Sequence, residues 1–507
     1  MSYVCIQTRA QIGLDSPSVS VEVHLANGLP CFHIVGLPEM AVRESRERVR
    51  AAIINSHFQF PSKRITVNLA PAELPKQGGR FDLAIAIGLL LASEQIRSQQ
   101  IQEYEFIGEL SLSGKLLRSH AVLPSAHQCA NHGNILITAW ANQSELQLLA
   151  SQHYLLAHDL LQVCAHIHGT RLIDPVAIKS PDPNTATASK KMSDVLGQEQ
   201  AKRALIVAAS GHHHVLMVGS PGSGKTMLAN RFMNLLSLMS VEETIETASL
   251  YSLIQHNQRA LTDRKRPFRA PHHTVSAVGL AGGGTIPQPG EISLAHNGVL
   301  FLDEFIEFSR ASLEILREPI ETGQITISRA AGKCVFPARF QLIAAMNPCP
   351  MGCDLNAHGQ CQCSQEKLQR YLNKLSAPLL DRIDIRLNVP KIPAQTLLKT
   401  PTPTHDNEQH LLEQIHTARK IQLQRQGHPN ALLSSQQCQT LCPLTPSVQQ
   451  KLLQCIEQFK LTARGSHQVL KLARTIADLE NSDNISMTHL AEAIAYRQPN
   501  LLQLNPS

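Results

Sequence analysis

The chain has 507 residues, of which 43% are apolar and 17% charged. That composition excludes fibrous and disordered classes and leaves room for more than one core. A net charge of +6 permits a nucleic-acid partner without requiring one, since many basic proteins have none.

The first residues, MSYVCIQTRAQIG, lack the basic stretch and apolar run of a signal peptide. The longest apolar run, near residues 84–92, is far below the roughly 18 residues of a spanning helix. The expectation is a cytoplasmic protein with no membrane partner. Its cysteines are then reduced, which argues against a disulfide framework.

Length suggests two to four domains at roughly 150 residues each. Residues 1–175 mix short strands with helical patterns. VSVEVHL from Val19 and RITVNLA from Arg64 alternate apolar and polar residues, the period of a half-buried strand. AVRESRERVRAAIINS has helical spacing and carries Arg43, Arg46, Arg48 and Arg50 near Glu44, either a solvated face or a set of cations for holding DNA or assembling an oligomer. Residues 176–193 are poor in apolar residues, carry two prolines and read as a linker. In residues 194–395 apolar strands alternate with helical patterns, which predicts α/β layering. Residues 396–507 read as helices, in LLEQIHTARKIQLQ, VQQKLLQCIEQF and SHQVLKLARTIADLE.

The middle part carries GSPGSGKT: Gly219, Ser220, Pro221, Gly222, Ser223, Gly224, Lys225 and Thr226. The spacing fits the phosphate-binding loop, with strand HHHVLMV before it and helix MLANRFMNLL after it. Glycines let backbone N–H groups turn inward around phosphates. Lys225 is expected on the β- and γ-phosphates of ATP and Thr226 on Mg²⁺. GVLFLDEF places Asp303 and Glu304 at a strand end. Asp303 would hold Mg²⁺, and Glu304 would orient and deprotonate the attacking water. FQLIAAMN ends a third strand on Asn347, placed to polarise water or touch the γ-phosphate, as the first sensor of AAA+ ATPases does. Arg382, in PLLDRIDI, sits where ring ATPases reach across to a neighbour's γ-phosphate. Arg464 is the candidate second sensor, with Arg474 as fallback.

Four of twelve cysteines fall in NPCPMGCDLNAHGQCQC. Cys349, Cys353, Cys361 and Cys363 form a C-x₃-C-x₇-C-x-C array. Four thiolates suit tetrahedral Zn²⁺, although a usual knuckle has two residues between paired cysteines. The alternative is four free cysteines on a loop. Two further stretches are basic. GQITISRAAGKCVFPARF reads as two strands around a turn, with Arg329 and Lys333 near its tip. TDRKRPFRAPHHT carries Arg264, Lys265, Arg266, Arg269, His272 and His273.

NGLPCFHIVGLPEMAVRESRERVRAA, NLAPAELPKQGGRFDLAIAIG, FRAPHHTVS, GEISLAHNGVLFLDEF, PARFQLIAAMNPCP and SAPLLDRID together resemble the magnesium-chelatase-like AAA+ proteins of the ComM/YifB type. The resemblance covers nearly the whole chain. It implies a multidomain α/β protein: a Lon-protease-like α+β domain, a phosphate-loop AAA+ core and a helical lid. It implies an ATP-dependent homohexameric ring and, for the competence members, a DNA helicase that drives branch migration while incoming DNA recombines. Magnesium chelatase, which inserts Mg²⁺ into a porphyrin, supplies the alternative function; a remodelling protein or protease is a third. Resembling ATPases point the Arg329/Lys333 hairpin into the ring pore, and the basic stretch belongs to an insertion facing the same pore. The family motif NPCPCG has Met351 here in place of its second cysteine, so Cys353 or His358 would fill that position. In the Lon-like part, Arg80 follows Gly78 and Gly79 where a serine nucleophile belongs, and no lysine stands near Leu123 and Pro124. With both halves of the dyad missing, the domain is expected to be a scaffold; Ser111 or Ser113 is a remote substitute.

Overall fold

A computed structural model describes residues 2–37, 39–176, 191–254, 263–284, 287–329, 332–353, 361, 363–393 and 405–497. The amino-terminal part is built on a seven-stranded sheet: β1 (Ser2–Arg9), β2 (Ser18–Ala26), β3 (Cys31–Val35), β4 (Arg64–Ala70), β5 (Tyr104–Phe106), β8 (Ile135–Ala139) and β9 (Tyr154–Ala157), in the order β3-β4-β2-β1-β5-β8-β9. A small hairpin, β6 (Glu109–Leu110) with β7 (Leu116–Leu117), lies apart from it. The alternation in β2 buries Val19, Val21, Val23 and Leu25 on one face. The helix Asp82–Ala92 is buried on nearly every side. Its Gly88 allows that approach, because a Cβ there would stand 2.7 Å from Val23 Cγ2.

The middle part contains a five-stranded, all-parallel sheet of β10 (Val215–Val218), β11 (Phe268–Arg269), β14 (Val299–Leu302), β17 (Gln341–Met346) and β18 (Ile385–Asn388), in the order β11-β14-β17-β10-β18. β10, β14 and β17 are buried throughout, the pattern of a sheet covered on both faces. Two antiparallel pairs lie outside it: β12 (Gly282–Gly283) with β13 (Gln288–Pro289), and β15 (Gln324–Arg329) with β16 (Gly332–Pro337).

Five helices follow: His405–Gln426, Ser435–Leu441, Pro446–Gln458, Ala463–Leu479 and Met487–Ala495. Their apolar faces join the helix Glu199–Gly211 and one face of the parallel sheet in a single core. The amino-terminal and middle parts also share a core, in which Val122, Leu123, Leu136 and Leu156 meet Met239, Ala248 and Leu294. The molecule is therefore a multidomain α/β chain with a parallel-sheet centre. Among the described residues, no helix is long and apolar enough to cross a membrane.

Candidate nucleotide site

β14, β17 and β10 are neighbours and parallel, so their carboxyl ends open on one edge. Crevices of this kind are where open α/β sheets bind ligands. The loop after β10 turns through Gly222 and Gly224, both at positive φ, and runs into the helix Lys225–Phe232. Gly219 is needed for a different reason: a Cβ there would lie 2.3 Å from Val389 O. The loop, Asp303, Glu304, His272, His273 and Asn347 line a cavity of about 670 Å³, within the range of small-molecule and cofactor sites.

Lys225 is 8% exposed. Its ammonium donates to Gly219 O at 2.7 Å, Ser220 O at 3.1 Å and Asn347 Oδ1 at 3.3 Å. Burial pulls its pKa below the ordinary lysine value. Thr226 Oγ1 donates to Asp303 Oδ2 at 2.7 Å, and Asp303 Oδ1 accepts from Glu304 N at 2.9 Å. Glu304 sits in the left-handed backbone region, φ 51°, which turns its carboxylate out of the strand line. His273 Nδ1 lies 2.8 Å from Glu304 Oε2. Tyr371 donates its hydroxyl to Asn347 O at 3.1 Å.

The residues present fit a magnesium-bound nucleoside triphosphate. A cation, a hydroxyl and a carboxylate converge on a glycine-rich helix N-terminus, the chemistry that phosphate and Mg²⁺ require. Ser223 Oγ, buried in the same loop, has no hydrogen-bond partner among the described residues. Lys225, Thr226, Asp303, Glu304 and Asn347 are thus brought together.

Arg382 and Arg464 lie elsewhere: neither lines the cavity. Both grip Glu321 instead, Arg382 through Nη2 and Arg464 through Nη1 at 3.0 Å. Hydrogen bonding from Arg382, helped by the charge of Arg464, holds the Glu321 carboxyl below its usual range. Arg474, the fallback second sensor, is corrected. It is 2% exposed and bonded to Asp478 Oδ1 at 3.0 Å, so it serves the core of the carboxyl-terminal helices.

The basic stretch before β14 is also corrected in part. Arg266 donates to Glu243 Oε2 at 3.0 Å, Asn297 O at 2.7 Å and Ser237 O at 2.8 Å. Arg269 makes a two-pronged pair with Glu291, both contacts at 2.6 Å. Neither guanidinium is free for a phosphate backbone. Arg264 Nε donates to Met239 O at 2.7 Å, while Lys265 stays exposed, 3.6 Å from Asp263. On the hairpin, Arg329 and Lys333 are exposed and pair with no carboxylate among the described residues.

In the amino-terminal part, Arg80 is buried and donates to Ser125 Oγ at 2.7 Å. An arginine–serine contact stands in place of a hydrolytic dyad, and burial lowers the Arg80 pKa to about 10. Ser111 and Ser113 hydrogen-bond to each other at 3.0 Å on an exposed turn. Arg48 is committed to Asp82 at 2.7 Å, and Arg50 lies over the Phe60 ring.

Cys349, Cys353, Cys361 and Cys363 converge, their Sγ atoms all within 4.8 Å of one another. His358 lies outside the described residues. Sequence reading did not assign roles to His273, Tyr371 or Glu321. The APHHT run after β11 was a usable signal for the first; the other two carry no local signature.

Three family models match: "Magnesium chelatase, subunit ChlI" over residues 191–397, "Subunit ChlI of Mg-chelatase" over 21–142 and "Magnesium chelatase, subunit ChlI C-terminal" over 406–497. "Competence protein ComM" of Haemophilus influenzae is 45% identical over 504 residues, 98% of each chain. "Uncharacterized protein YifB" of Escherichia coli is 46% identical over 500 residues, 98% of this chain and 97% of its own. "Lon protease 2" of Bacillus subtilis is 28% identical over 151 residues, 28% of this chain and 27% of its own. The chain belongs to the ComM/YifB group of magnesium-chelatase-like ATPases.

Proposed function

We propose that this ATPase is a homohexameric DNA motor that drives branch migration while incoming DNA is integrated during natural transformation. The observation that carries the reading is the match, over 98% of both chains, to a protein named for competence. The hairpin supports it: two exposed cations without carboxylate partners suit a track of phosphates of any sequence.

In this reading Thr226 and Asp303 hold Mg²⁺, which would screen the phosphate oxygens. Lys225 draws the β- and γ-phosphates into the loop. Glu304 takes the proton of the attacking water, and Asn347 orients that water or contacts the γ-phosphate. Arg382, with Arg464 beside it, stabilises transition-state charge in the neighbouring subunit's site.

The test is ATP-dependent strand exchange on three-way and four-way junctions, with Lys225→Ala as the inactive control. Branch movement in the parent protein alone is expected. The second reading, an ATPase subunit of a chelatase, is favoured by the names of the matching family models. No movement with any DNA, together with chelatase activity alongside a partner subunit, would establish it.

A further inference from the structure

We propose that Cys349, Cys353, Cys361 and Cys363 bind a single structural Zn²⁺ that braces the phosphate loop against the sensor strand. The four Sγ atoms approach within 4.8 Å of one another. Zn–S bonds of about 2.3 Å in a tetrahedron place the sulfurs about 3.8 Å apart. Closure around one ion therefore needs only a small contraction. An iron–sulfur cluster would have to fit inorganic sulfides and several irons between the same four atoms, and so demands wider spacing.

The surroundings are those of a closed structural site. Cys349, Cys361 and Cys363 are at most 5% exposed, and Leu368 and Leu372 pack against them. Cys353 N donates to Cys349 Sγ at 3.2 Å; an N–H aimed at sulfur supports a thiolate ligand. No cysteine of the chain is in a disulfide. All-sulfur ligation selects a soft or borderline ion, and tetrahedral geometry with four thiolates favours zinc. Binding would release the thiol protons.

The site touches both sides of the nucleotide edge. Gly352, at φ 64°, lies so close to the phosphate loop that a Cβ there would stand 2.6 Å from Pro221 Cδ. Cys349 follows Asn347 by two residues. Cys363 precedes the helix Gln365–Leu372, whose Tyr371 hydroxyl returns to Asn347 O at 3.1 Å. Among the described residues, the buried cluster at this loop consists of the four cysteines with Leu368 and Leu372. The bracing role rests on the ATPase reading; metal binding does not.

The experiment uses the full-length protein. Elemental analysis should give one zinc per chain, and Co²⁺ replacement should give the intense visible bands of a tetrahedral tetrathiolate. Cys361→Ser with Cys363→Ser should lose the metal, while Cys31→Ser in β3 should keep it. In the double variant, kcat/KM for ATP should fall about tenfold or more. Metal-free parent protein with full ATPase activity, or iron in place of zinc, overturns the proposal. Unchanged kcat/KM in a zinc-free, folded double variant overturns the bracing role. One zinc per chain in a protein that hydrolyses no ATP would refute the ATPase reading and leave the metal site standing.

Discussion

Glu304 has two neighbours that pull it in different directions. Its backbone N–H is tied to Asp303, the candidate Mg²⁺ ligand. Its carboxylate is held by His273 at 2.8 Å. A carboxylate held by histidine is turned from the water it must deprotonate. His273→Ala should therefore raise ATP hydrolysis in the absence of DNA several-fold and reduce stimulation by DNA. Unchanged basal turnover with full stimulation would remove His273 from this role. Glu304→Gln should lower kcat by roughly 100-fold or more while leaving ATP bound, whereas Lys225→Ala should lose binding as well. Turnover assays paired with binding of a nucleotide analogue separate the two. Burial of Lys225 adds a pH dependence. An ammonium with a lowered pKa gives up its proton at lower pH than an ordinary lysine, and only the charged form attracts phosphate. Affinity for ATP should thus weaken with rising pH earlier than the ordinary lysine value of about 10.4 implies. A flat binding profile from about pH 7 to 10 would show that the loop holds Lys225 charged throughout.

The hairpin β15–β16 and the strand β11 show what a linear sequence can and cannot reveal. Both are short and basic, and both lie near a nucleotide-site element in the sequence. Their charges differ in fate because their partners differ. Glu243 and Glu291 neutralise Arg266 and Arg269 from elements 23 and 22 residues away, and no spacing rule links those positions. Arg329 and Lys333 lie at the end of the ladder on opposite faces of the hairpin, Arg329 pairing with Gly332 and Lys333 with Ser328. The phosphate loop, Asp303, Glu304 and Asn347 were legible because each is a local pattern: a glycine-rich turn, or a polar residue ending an apolar strand. The clamp on Glu321 was not, since it joins three segments far apart in the chain. The cysteine array lay between these cases: its residues were visible, but its irregular spacing hid a convergence that only folding reveals. The distinction is measurable. Arg329→Ala with Lys333→Ala should weaken DNA binding uniformly across sequences and lower the salt slope by about one unit per lost cation. Arg269→Ala should leave that slope unchanged and cost about 1–3 kcal/mol of stability, because it strands the half-buried Glu291. Equal slopes for the hairpin variant and the parent would place DNA elsewhere.

Two continuous cores bind the subunit together. One joins the amino-terminal sheet to the ATPase part, and the other joins the carboxyl-terminal helices to the parallel sheet. Large apolar contacts of this kind resist relative motion between the parts they join. The two arginines that leave the nucleotide cavity then acquire a purpose. Arg382 has 12% of its side chain exposed, Arg464 has 38%, and both hold Glu321, whose side chain is 49% exposed. A carboxylate at a wet surface is a weak partner for two guanidiniums, and a triphosphate offered by an adjoining subunit is a stronger one. Glu321 thus reads as the counter-ion that keeps the pair ordered until a neighbour arrives. Arg382→Ala and Lys225→Ala proteins should each be nearly inactive alone. Mixed in equal amounts, they should form rings in which about a quarter of the interfaces join an intact loop to an intact arginine, and turnover should recover accordingly. Mixed rings that assemble, by light scattering, yet hydrolyse no more ATP than either parent would return Arg382 to its own subunit. Glu321→Gln supplies the complementary reading: without the carboxylate the arginines are released, so ring formation in ATP should need a lower protein concentration, while kcat at saturating protein stays within about twofold.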